Sequence, residues 1–198
     1  MKNKILLGVL ASSVISGVAM ADMYVGVEYG SAKNTTDQSG VLVQSVSGDN
    51  NYKDIKVKIG AGRDGGVKFQ GTVSFISFDE YVFSDKSKKT IDFGFDIIKE
   101  FEVTQSVYPF LKIGMGVGSI EVQGYDKDSI TGTSINVGAG VSYKVVDHLY
   151  LLAGVDYVGR MWQGIEQQYY ISRYNSGTTT IYTTDSAVKP YIGMNYKF

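Results

Sequence analysis

The sequence predicts an all-β fold, an eight-stranded antiparallel up-and-down transmembrane β-barrel. Three observations carry this. Eight segments alternate apolar and polar side chains with a period of two, which is the strand period and not the helix period. The connections between them alternate short and long, as they do in barrels that cross a membrane. The composition holds 24 Gly and 15 Tyr against 2 Pro and 0 Cys, so there is little to interrupt strands and no disulfide framework or thiol chemistry.

Residues 1–21 read as a secretory signal peptide. Lys2 and Lys4 give a positive start, residues 5–18 form an apolar stretch softened by Ser12, Ser13 and Ser16, and Ala19-Met20-Ala21 is a small-x-small cleavage site. As a membrane anchor the stretch falls short of the ~20 apolar residues a spanning helix needs. No Cys follows, which excludes a lipoprotein anchor. The mature chain, residues 22–198, is then one barrel domain. Its formal charge, −1 for the whole sequence, becomes more acidic once Lys2 and Lys4 are removed. That is no nucleic-acid footprint.

The segments follow in order. Residues 23–31 place Met23, Val25, Val27 and Tyr29 on one face and Tyr24, Gly26, Glu28 and Gly30 on the other. Residues 52–61 set Ile55, Val57, Ile59 and Ala61 against Lys56, Lys58 and Gly60. Residues 67–78 set Val67, Phe69, Val73 and Phe75 against Lys68, Gln70, Thr72 and Ser74. Residues 90–101 set Ile91, Phe93, Phe95 and Ile97 against Asp92, Gly94 and Asp96. Residues 107–118 set Leu111, Ile113, Met115 and Val117 against Lys112, Gly114, Gly116 and Gly118. Residues 134–145 alternate most regularly, Ile135, Val137, Ala139, Val141, Tyr143 and Val145 against Ser134, Asn136, Gly138, Gly140, Ser142 and Lys144. Residues 148–162 set Leu149, Leu151, Ala153, Val155, Tyr157 and Met161 against Tyr150, Gly154, Asp156, Arg160 and Trp162. In the last segment, 187–198, Val188, Pro190, Ile192, Met194, Tyr196 and Phe198 oppose Lys189, Tyr191, Gly193, Asn195 and Lys197.

Residues 62–66, 102–106 and 146–147 make the short connections; residues 32–51, 79–89, 119–133 and 163–186 make the long, polar ones. Periodicity alone does not say which face is outside. The polar face carries glycines and charges of both signs, Glu28, Asp92, Asp96 and Asp156 with Lys56, Lys58, Lys68, Lys112, Lys144, Arg160, Lys189 and Lys197. Small residues and mutually neutralising charges suit an eight-strand lumen just wide enough for side chains to fill; Asp156 and Arg160 are expected to compete for the same space. On the apolar face, aromatics gather near strand ends. Phe69, Phe101, Tyr143, Tyr196 and Phe198 lie on the turn side, and Tyr29, Phe75 and Tyr157 toward the loops, as interfacial girdles do. The apolar face is therefore expected outside, against lipid. Hydrocarbon offers no hydrogen-bond partner, so the first strand must pair with the last.

The final strand, apolar at every second position through Ile192, Met194 and Tyr196 to Phe198, resembles the last strand of bacterial outer-membrane β-barrels. With seven alternating segments before it, the mature chain is similar to the small eight-stranded barrels of the OmpX and OmpA-barrel type. It departs from the OmpA plan in that no peptidoglycan-binding domain follows the eighth strand. The resemblance implies a place in the outer membrane, contact with its lipid and lipopolysaccharide, and reading of Ile192, Met194, Tyr196 and Phe198 by the barrel-assembly machinery during insertion. It implies a monomer with a structural or cell-surface interaction role through long extracellular loops. The alternative it leaves open is a narrow channel or small-ligand conduit, for which Trp162 beside Arg160 would form a gate.

No cofactor or metal site is expected, and no catalysis. Lipid-modifying relatives place a His with a hydroxyl nucleophile at the outer rim, whereas the one His, His148, sits beside the 146–147 turn with no hydroxyl neighbour. Asp126 and Asp128 lack the spacing and terminal Glu of a calcium loop. Gly114, Gly116 and Gly118 lie in a strand, where they make space and do not cradle phosphate. Lys86, Lys88 and Lys89 are placed to touch lipopolysaccharide phosphates. Residues 163–186 alternate on both sides of Asn175-Ser176-Gly177, which is hairpin turn chemistry. Tyr169, Tyr170, Arg173, Tyr174 and Tyr182, interleaved with Ser and Thr, make that hairpin the candidate recognition loop for a surface ligand of unknown identity.

Overall fold

The computed structural model describes residues 22–40, 43–83, 88–122, 128–172 and 175–198. They form ten strands: β1 (Met23–Gly40), β2 (Val43–Asp49), β3 (Tyr52–Gly62), β4 (Val67–Phe78), β5 (Lys89–Glu100), β6 (Val107–Glu121), β7 (Ser129–Val146), β8 (Leu149–Trp162), β9 (Ile165–Ser172) and β10 (Asn175–Lys197). Every pairing is antiparallel, in the order β2-β1-β3-β4-β5-β6-β7-β8-β10-β9, and β1 also pairs with β10. That last contact closes β1, β3 to β8 and β10 into an eight-stranded barrel. The seam starts where the chain ends, Tyr24 opposite Lys197, and the Phe198 N–H donates to the Met23 carbonyl at 2.9 Å. No sheet edge is left within the belt, which is what a hydrocarbon solvent demands.

The inside and outside are those the alternation implies. Val27, Ile59, Phe93, Ile113, Val137, Val155 and Ile192 stand exposed on the outer wall, while Glu28, Lys58, Asp92, Lys112, Asp156 and Lys189 are buried in the lumen. The barrel is thus an inverted globule: burial selects polar residues and exposure selects apolar ones, because lipid takes the place of water outside. At the turn side, chain reversal between β3 and β4 uses Arg63 to Gly66, closed by a Gly66 N–H to Arg63 carbonyl bond of 3.0 Å. Gly65 sits there at φ 69°, a left-handed conformation that a side chain disfavours.

The long connections differ from expectation in one respect. Residues 32–51 are not a loop: β1 continues to Gly40 and turns back as β2, with Thr35 opposite Asp49. Likewise β10 begins at Asn175, twelve residues before the alternation becomes apolar at residue 187. The expected hairpin in 163–186 is present, as β9 against β10 with Ile165 opposite Ile181. Its reversal is not at Asn175-Ser176-Gly177, however. Those residues belong to β10, with a register shift between Asn175 and Ser176, and the connection itself, residues 173–174, lies outside the described residues. The physical reason for the missed strand length is that alternation needs two unlike solvents. Above the membrane the outer face meets water instead of lipid and the inner face buries polar residues such as Asn34 and Thr179, so NTTDQS in β1 and TTT in β10 carry strand without carrying its apolar period.

Candidate functional site

Two features of the fold have the chemistry to do something: the filled lumen and the sheet that stands above it. In the lumen, inward positions of neighbouring strands bring charges together in pairs. Lys58 on β3 bonds Glu28 on β1. Lys68 on β4 reaches Glu100 on β5 at 2.8 Å. Lys112 on β6 reaches Asp156 on β8 at 2.9 Å, and Lys189 on β10 reaches Asp54 on β3 at 2.6 Å. Arg160 on β8 binds Asp92 on β5 at 2.5 Å and lies 3.9 Å from Asp185 on β10. Asp96 is held by two amides instead, Gln70 Nε2 at 2.8 Å and Asn136 Nδ2 at 3.1 Å. Lys56 is buried among these groups without a direct ion pair among the described residues. The ion-paired side chains are all buried, so each pair replaces lost hydration with a charge-assisted bond.

Three sequence expectations are corrected here. Asp156 and Arg160 do not pair with each other; each finds a partner across the lumen, because a strand holds its own inward residues apart while the opposite wall brings others close. Lys144 is not in the lumen network. It is the last inward position before the β7–β8 turn, partly exposed, and pairs with Asp147 at 3.0 Å. Asp54 and Asp185, both 3 % exposed, were not singled out although each sits on the inward parity of its strand. Asp185 was read as loop, yet it accepts from Thr36 Oγ1 at 2.6 Å and from Trp162 Nε1 at 2.7 Å, tying β1, β8 and β10 together.

Glycines make the network fit. Gly118 lies opposite Asp92 and Gly114 opposite Asp96, while Gly138 lies opposite Asp156. A Cβ at these glycines would come within 1.8, 1.9 and 2.1 Å of the facing carboxylate oxygen. Gly114 and Gly118 of the GxGxG run are therefore space-makers under carboxylates, while Gly116 lies opposite Gly94.

The lumen is closed at both ends. Toward the loops, Trp162 packs in an apolar cluster with Tyr52, Ile76, Phe78, Ile120 and Ile130, and Phe83 meets its ring edge-on at 5.9 Å. Toward the turns, Ile98, Phe110, Leu152 and Tyr191 form a smaller cluster. Between them a pocket lined by Asp54, Lys56, Asp92, Asp156 and Arg160 has a volume of about 40 Å³, room for a few water molecules. Below, outside the spanning strands, Asp64 in the β3–β4 turn gathers the Tyr150 hydroxyl at 2.6 Å, Lys197 at 2.9 Å and Lys68 at 3.2 Å. Partial burial pushes its carboxyl up, but these bonds outweigh it and hold the pKa at about 2.

Above the barrel, β2, β1, β10 and β9 continue as a four-stranded sheet. Its inner face seats Asn34, Thr179 and Thr183, all buried. Its outer face presents Asp37 and Ser39 on β1 and Thr178, Tyr182 and Thr184 on β10, all exposed, with Ser39 opposite Tyr182. Tyr182 is the recognition-loop residue whose side chain is described. Tyr169 and Tyr170 belong to β9, but their side chains, and Arg173 and Tyr174 entirely, lie outside the described residues. Among the described residues neither β2 nor β9 has a second strand partner.

The remaining candidates are placed as follows. Ile192, Met194, Tyr196 and Phe198 all stand exposed on the outer wall, and the Tyr196 and Phe198 rings meet edge-on at 5.5 Å. His148 is exposed at the turn side, its Nδ1 2.9 Å from the Lys197 carbonyl and its ring stacked on Tyr196. Lys86 and Asp126 lie outside the described residues; Asp128 is exposed, and its carbonyl accepts from Val122.

Among known proteins, a family model described as outer membrane protein beta-barrel domain matches residues 5–198. No curated protein matches the sequence. Several solved structures share the fold. Neisserial surface protein A, NspA, is 21 % identical with a TM-score of 0.51, over 89 % of this chain and 97 % of its own. The outer membrane protein OprG from Pseudomonas aeruginosa is 11 % identical with a TM-score of 0.59, over 90 % of this chain and 96 % of its own. The outer membrane protein AlkL, solved in lipid bilayers, is 11 % identical with a TM-score of 0.53, over 90 % of each chain. At these identities the likeness is one of fold.

Proposed function

Since this chain belongs to the outer membrane β-barrel family, we propose that it is a closed, non-catalytic anchor that displays a recognition sheet at the cell surface. It stands in the outer membrane. The observation that carries the reading is the four-stranded sheet β2-β1-β10-β9, built as a direct continuation of barrel strands and presenting a hydroxyl-rich face around Tyr182. Tyr and small hydroxyl side chains give contact area and adaptable hydrogen bonding at low entropic cost. A sheet rooted in the barrel holds them rigidly, and its edges, unpaired among the described residues, suit strand addition by a partner.

A conduit is the weaker reading. The lumen is filled by ion pairs and closed by the Trp162 cluster above and the Phe110 cluster below, so stable nanosiemens currents in planar bilayers are not expected. In this reading residues 1–21 direct export and are removed, the barrel-assembly machinery reads the terminal strand, and the protein works as a monomer.

The test is to shorten the sheet without touching the barrel. Glu166 and Thr180 are register partners, so residues 167–179 can be replaced by a two-residue turn while Asp185 and its bonds stay in place. The shortened protein is expected to remain heat-modifiable and β-rich, and to lose the partners that cross-linking captures on intact cells with the full-length protein. Capture of the same partners by both proteins refutes the reading.

A further inference from the structure

We infer that the mouth of the barrel is a second recognition site, which binds an extended peptide carrying a branched aliphatic residue followed by an aromatic one. The chain's own residues 79–83 occupy it as a tethered stand-in for that peptide. The site lies on the inner side of the projecting sheet and is independent of what the outer face binds.

Residues 79–83 leave β4 after Phe78 and form a strap at the mouth. They belong to no strand, yet their main chain is held at three residues. The Asp79 N–H donates to the Asn51 carbonyl at 2.8 Å. The Asn50 side-chain amide takes both main-chain groups of Glu80: its Oδ1 accepts from the N–H at 3.0 Å and its Nδ2 donates to the carbonyl at 3.3 Å. Gln38 Nε2 donates to the Val82 carbonyl at 3.3 Å. Gln38 lies on β1 and Asn50 directly follows β2, so the projecting sheet supplies the grip.

These bonds read main chain and leave the first three side chains out. Asp79, Glu80 and Tyr81 are exposed. Selection comes at the next two positions. Val82 is 6 % exposed, buried in the apolar cluster of Tyr52, Ile76, Phe78, Ile120 and Trp162. Phe83 packs on that cluster and meets the Trp162 ring edge-on. The floor is pre-set, because Trp162 Nε1 donates to the buried Asp185 at 2.7 Å. Main-chain bonds for affinity and side-chain pockets for specificity are how proteins bind extended peptides.

Asn50 points the same way. Its residue is 7 % exposed, and among the described residues its side-chain amide bonds the Glu80 main chain alone. A buried amide so placed matches a peptide, which offers one donor and one acceptor per residue. The strap itself is outside the barrel framework, with no ladder pairing among the described residues. On its outer side Lys88 clasps it, donating to the Asp79 carbonyl at 2.8 Å with its ammonium 4.5 Å from the Tyr81 ring centre. A partner segment gains the site by offering the same contacts in its place.

The chain's single Trp lies in the site, so energy transfer from Trp162 reports occupancy. The probe is a synthetic peptide of the strap sequence, Asp-Glu-Tyr-Val-Phe, dansyl-labelled at its N-terminus and added to the mature protein folded in detergent. V82S/F83S should take up the peptide at roughly hundredfold lower concentration than wild type, where the tethered strap competes at about mM effective concentration. Asn50→Ala added to V82S/F83S should weaken the peptide roughly tenfold. A labelled peptide with Ser at its last two positions should not bind. Heat-modifiability confirms folding of each variant, and Phe83→Ala replaces the double variant if that fails to fold. The protein lacking residues 167–179 should bind the peptide after the same opening, which separates this inference from the outer-face reading; loss of binding there would place the peptide on the sheet and overturn it. Equal uptake by wild type and the opened variant, equal binding of the Ser peptide, or an undiminished affinity after Asn50→Ala would overturn it as well.

Discussion

The pairing of Lys112 with Asp156 is the sharpest place to test the lumen. Asp156 is 0 % exposed and Lys112 4 %, and their bond is 2.9 Å. Asp156→Asn keeps the volume and removes the charge. Lys189, 3.9 Å from Asp156, still has Asp54 at 2.6 Å, so the loss concentrates on Lys112. That ammonium keeps the Tyr191 hydroxyl at 3.3 Å, the face of the Tyr191 ring at 4.4 Å and the more distant charges of Glu28 and Asp96, but no direct ion pair. Removing one partner of a buried pair costs about 3–5 kcal/mol, whereas neutralising both is often close to neutral. Asp156→Asn is therefore expected to lose about 3 kcal/mol or more, and Asp156→Asn with Lys112→Met to regain at least half of it. Equilibrium unfolding in lipid vesicles measures both, followed by the fluorescence of Trp162, the single Trp of the chain. Its burial in the loop-side cap makes it a reporter of the closed barrel. Additive losses in the cycle, or a single variant within about 0.5 kcal/mol of wild type, would refute the account of the lumen as an interlocked set of pairs.

Other expectations follow from single positions. Ile113→Arg places a charge on the wall 56 % exposed to lipid and should cost about 2–4 kcal/mol in vesicle folding; wild-type stability would reverse the assignment of inside and outside. Gly138→Ala should weaken the barrel, because its Cβ meets Asp156 at 2.1 Å, while Gly159→Ala, with nothing within 4 Å, should not; equal effects in a melting assay would contradict the space-making role. Deleting Phe198 should impair assembly in cells more than refolding in detergent, since it is one girdle ring among several but, in the proposed reading, part of the strand the assembly machinery reads; equal loss in both assays makes it a packing residue. Asp64, held at about 2, should contribute stability that is present above its unfolded value of about 3.9 and lost as pH falls through about 2. Asp64→Asn should accordingly flatten the stability profile across that window, and an unchanged profile removes Asp64 from the account.

How much of this protein was legible in its sequence depends on where the solvent changes. Between Tyr29 and Met23, or Val188 and Phe198, lipid faces one side and a polar lumen the other, so the alternation is written in full and the strands, their faces and the closure follow from it. The inward parity likewise marked Glu28, Lys58, Asp92 and Asp156 as lumen groups. The sequence could not say which charges meet, since partners such as Arg160 and Asp92 are 68 residues apart and are chosen by shear and by the glycines that leave room opposite each carboxylate. Nor could it show the projecting sheet at its full length. Once the outer face meets water instead of lipid and the inner face buries polar groups such as Thr183 and Asp185, Thr35 to Gly40 and Thr178 to Ser186 lose the apolar period, and only pairing of β1 with β10 across the seam reveals them as strands.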